Sequence, residues 1–188
     1  RMKLVKVQIV LMGVCLAIGS PLFAAELSEI RNYIEYSPTF ASAGQPSKEQ
    51  LALLPNAGFE RVVYIALSNS GNAIADEDAM VKELGMNYVH IPVIWDAPTA
   101  SDFYTFANVM RHEPERKTLL HCAANYRASA FSLLYRVLYE DVPLATAKAD
   151  MDKIWTPNKI WNDLIHAVLE ENDVSPNCDG CEWKIAED

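Results

Sequence analysis

The spacing of apolar residues beyond residue 25 predicts alternating strands and helices. Three short runs, rich in β-branched and aromatic residues or in leucine, have the length of buried strands; they cover residues 61–67, 87–93 and 118–121. An earlier strand or hairpin is expected between residues 33 and 43. Apolar positions at helical spacing predict helices over residues 47–56, 76–84, 99–111, 128–139, 144–154 and 159–171.

Polar residues and a glycine mark several of these helix ends. Ser47 and Gln50 have the spacing of a capping box at the start of one helix, and Thr99 with Asp102 can cap another. Gly85 is expected to end the helix before it, because glycine readily adopts the left-handed backbone found just past a helix.

The order of these elements predicts an α/β fold with three layers. Strands that alternate with helices through short connections form βαβ units, which give a mainly parallel central sheet flanked by helices on both faces. Ligands in such sheets bind beyond the carboxyl ends of the strands. The loops after Leu67, Val93 and His121 should therefore converge at one edge, where the chemistry is expected.

The first 25 residues have the pattern of a secretory signal peptide. Lys3 and Lys6 give a positive start, residues 7–18 are apolar, and the segment ends in small residues. The apolar run is short for a membrane span, so we expect cleavage and a periplasmic or secreted protein, with an uncleaved anchor as the alternative. The remainder predicts one α/β domain over residues 26–172 and a C-terminal tail over residues 173–188.

Acidic residues dominate the chain after this segment. All 25 acidic residues but only 13 of the 16 Lys and Arg residues lie beyond residue 25, which gives the mature chain a formal charge of −12. A surface of this sign disfavours nucleic acid and anionic lipid as partners. We therefore expect no nucleic-acid binding and no stable membrane association after cleavage, whereas the oligomeric state is left open.

Three cysteines follow the signal segment. Cys178 and Cys181 form a close pair in the polar tail, and a local disulfide is the favoured interpretation in an oxidising compartment. A reduced pair or half of a metal site is the alternative, but zinc would need two more ligands and no second cysteine pair is present. We therefore predict no metal and no cofactor. Cys122 remains as a free thiol.

The segment from Lys117 to Ser129 carries the most informative pattern. An apolar strand ends in His121 and Cys122, a loop of small residues follows, and Arg127 precedes a helix. Loop amides and a helix N-terminus can bind an oxyanion, and arginine can bind it bidentately. The same surroundings favour the thiolate form of a cysteine, so Cys122 is the predicted nucleophile and Arg127 the predicted anion ligand.

The other residues of this segment receive supporting roles. His121 is expected to buttress the loop by hydrogen bonding, with simple packing as the alternative. The predicted substrate-binding positions are Ala123, Ala124, Asn125, Tyr126, Arg127 and Ala128. The alanines keep the loop amides accessible, and Asn125 tolerates a left-handed backbone. Tyr126 is either a wall of the pocket or an outward-packing residue.

A second loop supplies a candidate acid. Asp96 lies in the sequence WDAP at residues 95–98, after the strand that ends at Val93. A carboxyl group at this sheet edge could protonate a leaving oxygen while a thiolate attacks phosphorus. The alternatives are that Asp96 only stabilises a turn, or that Asp102 is the acid, although helix capping already accounts for Asp102.

The motif HCAANYRAS at residues 121–129, with the upstream WDAP loop, resembles the cysteine-dependent phosphatase superfamily, which includes tyrosine and dual-specificity phosphatases. SAGQP at residues 42–46 and GMNYVHIP at residues 85–92 resemble a bacterial branch of candidate phosphatases, similar to the phosphatase-like domain of β-lactamase-hydrolase-like proteins. The likeness spans residues 34–139. It implies a phosphatase-like fold, Cys122 as nucleophile, Arg127 as phosphate ligand, Asp96 as acid and a cysteinyl-phosphate intermediate.

Three departures from the superfamily pattern keep other functions open. Four residues separate Cys122 from Arg127 where common tyrosine phosphatases have five, Asn125 replaces the usual loop glycine, and Ala128 replaces the hydroxyl residue after the arginine. The short loop is closer to that of rhodanese-type sulfurtransferases, which carry a persulfide. The leading hypothesis is an exported phosphatase acting on an unknown phosphomonoester. A sulfurtransferase and a non-catalytic oxyanion-binding domain are the alternatives.

Overall fold

The strands form a five-stranded sheet in the order β1–β2–β5–β3–β4. The computed structural model of the chain describes residues 26–186, so the predicted signal peptide lies outside the described residues. The strands are β1 Ile34–Ser37, β2 Phe40–Ala43, β3 Arg61–Tyr64, β4 Asn87–His90 and β5 Thr118–His121. β1 pairs with β2 in an antiparallel hairpin, and the other neighbours are parallel. The predicted α/β fold with a mainly parallel sheet is confirmed.

Helices cover both faces of this sheet. They are α1 Lys48–Leu53, α2 Glu77–Glu83, α3 Ala100–His112, α4 Tyr126–Tyr139, α5 Leu144–Asp152 and α6 Lys159–Glu171, with a 3-10 turn at Pro55–Ala57. None of the helices in residues 26–186 has the length and apolar character needed to cross a membrane.

Two apolar cores lie on opposite sides of the sheet. Val63 and Leu120 belong to the core that includes residues of α3, α4 and α6, whereas Val62 and Leu119 belong to the core beneath α1 and α2. Successive strand residues point to opposite faces, so strands covered on both faces need apolar residues at nearly every position. This explains the continuous apolar runs of the sequence.

The predicted helix ends are mostly correct. Both capping boxes are present, at Ser47 with Gln50 and at Thr99 with Asp102. Gly85 has φ 81°, the left-handed conformation expected after α2.

Two of the predicted strands were too long at their carboxyl ends, whereas β5 has the predicted bounds. β3 ends at Tyr64 and β4 at His90. β3 pairs with the four residues of β5 from Thr118 to His121, and β4 pairs with the same four residues of β3, so all three strands end at the same level. Beyond it, Ile65 N–H donates to the carbonyl of His121 at 2.9 Å before the chain leaves the sheet. The early strand ends bring the following loops together at this edge.

Candidate functional site

Cys122 lies at the carboxyl end of the central strand of the sheet. β5 is flanked by β2 and β3, and Cys122 N–H donates to the carbonyl of Ala43 at 3.3 Å. The side chain is only 1% exposed and forms no disulfide. The strand therefore delivers one buried free thiol to the start of the loop that precedes α4.

Asparagine side chains of neighbouring loops donate hydrogen bonds to the carbonyl groups of the Cys122–Arg127 loop. The carbonyl of Ala123 accepts a hydrogen bond from Asn72 Nδ2 at 2.9 Å, and the carbonyl of Ala124 accepts one from Asn32 Nδ2 at 2.9 Å. A peptide N–H points away from the carbonyl of the same planar unit. The amides of Ala124 and Asn125 are therefore directed away from these outer partners, as an anion-binding loop requires.

Asn125 gives the loop its left-handed turn, as predicted. Its φ is 67° and its ψ is 7°, and it is the residue directly before α4. Its Nδ2 donates to the carbonyl of Asn32 at 2.6 Å, so Asn32 and Asn125 each donate to the other's segment. The helix consequently begins at Tyr126, two residues earlier than predicted, because the left-handed Asn125 completes the turn within a single residue.

Close approach of a second loop restricts Gly44. Gly44 forms a bridge with Ala124, and a Cβ atom on Gly44 would lie 3.1 Å from both the Cβ and the carbonyl oxygen of Arg31. The same Cβ would lie 3.3 Å from the carbonyl oxygen of Ala123, so a larger residue would require Arg31 or the Cys122 loop to shift. The sequence pattern had not identified Asn32, Gly44 or Asn72 as supports of the loop.

Arg127 lies in the first turn of α4 and is 9% exposed. Its guanidinium carbon lies 5.2 Å from the ring centroid of Trp95, and its Nε has no hydrogen-bond partner among residues 26–186. A buried guanidinium without a paired carboxylate is electrostatically unfavourable. An oxyanion bound at the loop would supply the missing negative charge.

The loop that carries Asp96 is anchored beside Arg127 through Trp95. The carbonyl of Trp95 accepts a hydrogen bond from Trp161 Nε1 at 3.1 Å, and its ring centroid lies 5.5 Å from that of Trp155. Asp96 is exposed in the turn that follows β4. Asp96 directly follows Trp95, whose indole contacts Arg127. Asp102 instead accepts a hydrogen bond from the Thr99 N–H in the capping box of α3.

His121 contacts a buried carboxylate that the sequence pattern had not identified. His121 Nε2 lies 2.7 Å from Glu77 Oε1, and both side chains are almost fully buried. The contact has the distance of an ion pair but is not aligned as an ordinary hydrogen bond. Burial raises the pKa of Glu77, but the contacts from His121 and Gln45 lower it by a larger amount. The pKa of Glu77 therefore lies below its ordinary value.

Stacked rings fix the orientation of His121. The Tyr64 ring stacks on His121 at 4.8 Å between centroids and on His90 at 5.1 Å. The Tyr64 hydroxyl donates to the carbonyl of Leu67 at 2.9 Å. His121 therefore has a polar contact through Nε2 and an aromatic contact on its face. Neither ring nitrogen forms a hydrogen bond within residues 26–186, so buttressing of the loop by hydrogen bonding stays a prediction.

The residue after Arg127 offers no hydroxyl to the site. Ala128 is fully buried, and the nearby Ser129 hydroxyl already donates to the carbonyl of Tyr126 and accepts from Trp155 Nε1, both at 3.0 Å. Ser129 therefore does not replace the missing donor beside Cys122.

Tyr126 forms part of an aromatic wall next to the loop. Its ring stacks on Trp155, with centroids 4.9 Å apart and planes within 5°. A cavity of about 380 Å³ adjoins this pair, and its lining comprises Trp95, Tyr126, Ile154, Trp155, Thr156, Asn158 and Ala186. Of the two sequence interpretations of Tyr126, the structure favours the wall of a pocket.

The C-terminal tail contains a disulfide. Cys178 and Cys181 are bonded to each other. Trp183 contacts His166 edge to face at 4.6 Å. Within the part of the chain that the structure describes, no group of three or more His, Cys, Asp or Glu side chains is arranged to hold a metal ion.

Comparison with protein families and structures gives a consistent assignment. Residues 26–156 match the family described as DSP-PTPase phosphatase fused to NAD+ kinase. A DUF442 candidate phosphatase from Shewanella putrefaciens CN-32 is 32% identical, covers 79% of this chain and 97% of its own, and has a TM-score of 0.72. A search of curated protein sequences found no match.

More distant structures share the fold. TpbA from P. aeruginosa, in complex with pTyr, is 20% identical over 64% of this chain and 72% of its own, with a TM-score of 0.54. PTPMT1 in complex with PI(5)P is 11% identical over 75% and 96% of the two chains, with a TM-score of 0.64. The resemblance drawn from the sequence is confirmed: the chain belongs to this DSP-PTPase family, within the cysteine-dependent phosphatase superfamily.

Proposed function

We propose that this protein is an exported phosphatase that hydrolyses a phosphate monoester through a cysteinyl-phosphate on Cys122. The observation that carries the proposal is the buried free thiol at the loop before α4, combined with the buried Arg127 on the first turn of that helix, whose Nε has no hydrogen-bond partner among residues 26–186. A thiolate nucleophile and a positive oxyanion ligand are thus held by one strand–loop–helix unit.

The proposed reaction has two displacement steps at phosphorus. The Cys122 thiolate attacks, the bond to the leaving oxygen breaks, and Asp96 donates a proton to that oxygen. Arg127 and the loop amides hold the non-bridging oxygens as their charge develops. Water then attacks the phosphocysteine, Asp96 accepts a proton from this water, and inorganic phosphate leaves as the thiolate is restored.

Small phosphate esters are the substrates that the site supports best. TpbA has been crystallised with pTyr and PTPMT1 with PI(5)P, so the fold accommodates monoesters of different leaving groups. In this chain the formal charge of −12 beyond residue 25 disfavours polyanions. We propose a phosphomonoester with few other negative charges.

Export is proposed from two features of the chain. Residues 1–25 have the pattern of a signal peptide, and Cys178 and Cys181 form a disulfide. Disulfides persist in the periplasm and outside the cell. The proposed location is therefore periplasmic or secreted.

The short loop also favours a second candidate, which is sulfur transfer through a Cys122 persulfide. Only four residues separate Cys122 from Arg127, which makes a narrow anion ring. A sulfurtransferase would move sulfur from thiosulfate to cyanide without using Asp96, so Asp96→Asn would leave this rate unchanged.

Activity measurements on the purified protein test the phosphatase proposal. We expect turnover of para-nitrophenyl phosphate, with no detectable rate in Cys122→Ser. Asp96→Asn should lower kcat about 100-fold and remove the decline of kcat at high pH, because the proton donor is gone. Asp163→Asn, which changes an exposed carboxylate of α6, is the matched control and should retain full activity. Wild-type protein without phosphatase activity in the presence of reductant contradicts the proposal.

A further inference from the structure

Glu77 is an acidic residue in a place where acids are rarely found. It is the first residue of α2, yet its side chain is only 3% exposed, whereas its neighbours Asp76 and Asp78 are exposed. Burial of a carboxylate is costly unless it is paired and hydrogen-bonded. Capping of α2 does not require it, so its contacts must account for its position.

Both oxygens of Glu77 contact groups that belong to the Cys122 loop or its supports. Oε1 lies 2.7 Å from His121 Nε2, and Oε2 accepts a hydrogen bond from Gln45 Nε2 at 2.8 Å. Gln45 in turn donates its backbone N–H to the carbonyl of Ala123 at 3.3 Å. Glu77 therefore links two residues that flank the nucleophile: His121, which precedes Cys122, and, through Gln45, Ala123, which follows it.

We infer that Glu77 is a positioning residue of this site: it pairs with His121 behind Cys122, and the imidazole end of this ion pair favours the thiolate. The inference rests on the proposed phosphatase function, because that function needs a thiolate at Cys122. It extends the site to α2, an element that contributes no residue to the Cys122–Arg127 loop.

The geometry gives the direction of the effect. Nε2 is the imidazole atom farthest from the backbone that joins His121 to Cys122, and Glu77 contacts the ring there. In the proposed arrangement the imidazole therefore lies between the carboxylate and the main chain of Cys122. The net field of the pair favours negative charge on the sulfur, in the same sense as Arg127.

The remaining groups around His121 do not supply a second counter-charge. Tyr64 of β3 stacks on its face, and His90 of β4 stacks on the far side of Tyr64. His121 Nδ1 has no hydrogen-bond partner among the described residues. Burial raises the pKa of Tyr64, so its hydroxyl stays neutral at ordinary pH. Glu77 is consequently the one carboxylate in contact with this ring within residues 26–186.

The test is the pH dependence of Cys122 alkylation by iodoacetamide in wild type and in Glu77→Gln. Without the carboxylate the ion pair with His121 is lost, and its positive end no longer faces Cys122. The midpoint of the rate–pH profile should rise by about one pH unit, which lowers the alkylation rate about 10-fold below the midpoint. Asp78→Asn, on the same helix but exposed, should leave the midpoint unchanged. A midpoint that stays at the wild-type value or falls in Glu77→Gln overturns the inference.

A second variant decides the matter if Glu77→Gln does not fold. Gln45→Leu keeps the charge of Glu77 but removes its donor, and should raise the midpoint by a smaller amount in the same direction. An unchanged midpoint in folded Gln45→Leu would then refute the inference. Alkylation requires no substrate, so a protein without phosphatase activity would contradict the proposed function while these measurements still report on Glu77.

Discussion

At the scale of single residues, Ala128 distinguishes this site from the superfamily pattern. The position after the arginine normally carries a hydroxyl that helps the thiolate leave in the second step. Ala128 is fully buried, and the Ser129 hydroxyl is committed to Tyr126 and Trp155. Breakdown of the phosphocysteine is therefore expected to be the slow step.

Restoration of that hydroxyl should increase turnover. In Ala128→Ser, an added donor beside the sulfur should raise kcat up to about 10-fold, because stabilisation of a leaving group by one hydrogen bond has effects of this order or larger. Burst kinetics with para-nitrophenyl phosphate would separate the two steps, and the burst should shrink in the variant. A variant with an unchanged burst and an unchanged kcat would show that breakdown is not limited by this position.

At the scale of elements, α4 carries both the site and the centre of one core. Ten of its residues are buried, and its far end is fixed to α5 by Arg136 Nη1, which donates to Asp150 Oδ2 at 2.9 Å. The Arg136 guanidinium also lies 4.3 Å from the ring centroid of Tyr36 in β1. The ion pair therefore anchors the helix that presents Arg127 to the loop.

Loss of this ion pair should destabilise the protein in a pH-dependent manner. Burial raises the pKa of Asp150, but the hydrogen bonds from Lys153 and Arg136 outweigh it and leave the pKa below 3.8. A carboxylate whose pKa is lower in the folded state than in the unfolded state stabilises the fold above the unfolded pKa. This stabilisation is lost as the pH falls through the folded-state pKa. Asp150→Asn should therefore lower the unfolding free energy by about 1–3 kcal/mol at pH 7 and by less at pH 3.

Urea unfolding at the two pH values measures this difference. Asp163→Asn removes an exposed ion pair of α6 with Lys159 and is the matched control, with an expected change below about 0.5 kcal/mol. Equal destabilisation of Asp150→Asn at pH 7 and pH 3 would contradict the assigned role of the pair.

Local signals made much of this architecture predictable. The capping boxes at Ser47 and Thr99, the apolar strand before Cys122 and the left-handed Asn125 all depend on residues close in sequence. Their spacing therefore predicted the order of the elements and the left-handed residue of the Cys122–Arg127 loop, whereas the ends of β3 and β4 and the start of α4 differ from the prediction.

The supports of the loop could not be predicted in this way. Asn32 lies 92 residues from Ala124, and Asn72 lies 51 residues from Ala123. The partners of such hydrogen bonds are set by the tertiary fold, and a single asparagine in a polar loop carries no periodic signal. Glu77 lies within the predicted helix over residues 76–84, between two exposed acids, and nothing local in the sequence shows that its side chain turns inward.

At the scale of the whole molecule, a local positive site lies within an acidic protein. The chain beyond residue 25 has a formal charge of −12, whereas the site presents Arg127 and the start of α4. The negative potential of the surrounding surface weakens the attraction of distant polyanions to this site. Recognition of a substrate therefore depends on contacts at short range. Trp95 contacts Arg127. The rings of Tyr126, Trp155 and Trp161, from three other segments, pack around Trp95.

The C-terminal tail completes the outer wall of that region. Ala186 N–H donates to the carbonyl of Pro157 at 3.1 Å, and Asn162 Nδ2 donates to the carbonyl of Lys184 at 3.1 Å. Ala186 also lines the cavity beside Trp155. The disulfide-bearing segment is thus connected to the surface next to the Cys122 loop.

The most direct test of the central claim is the intact mass of the protein after rapid acid quenching with para-nitrophenyl phosphate. The expected result is a species heavier by one phosphoryl group, with the modification on Cys122 and absent from Cys122→Ser. Slow breakdown, as argued for Ala128, should make this species easy to trap in wild type and scarcer in Ala128→Ser. An unmodified Cys122 during active turnover, or a phosphoryl group on another residue, would contradict the account.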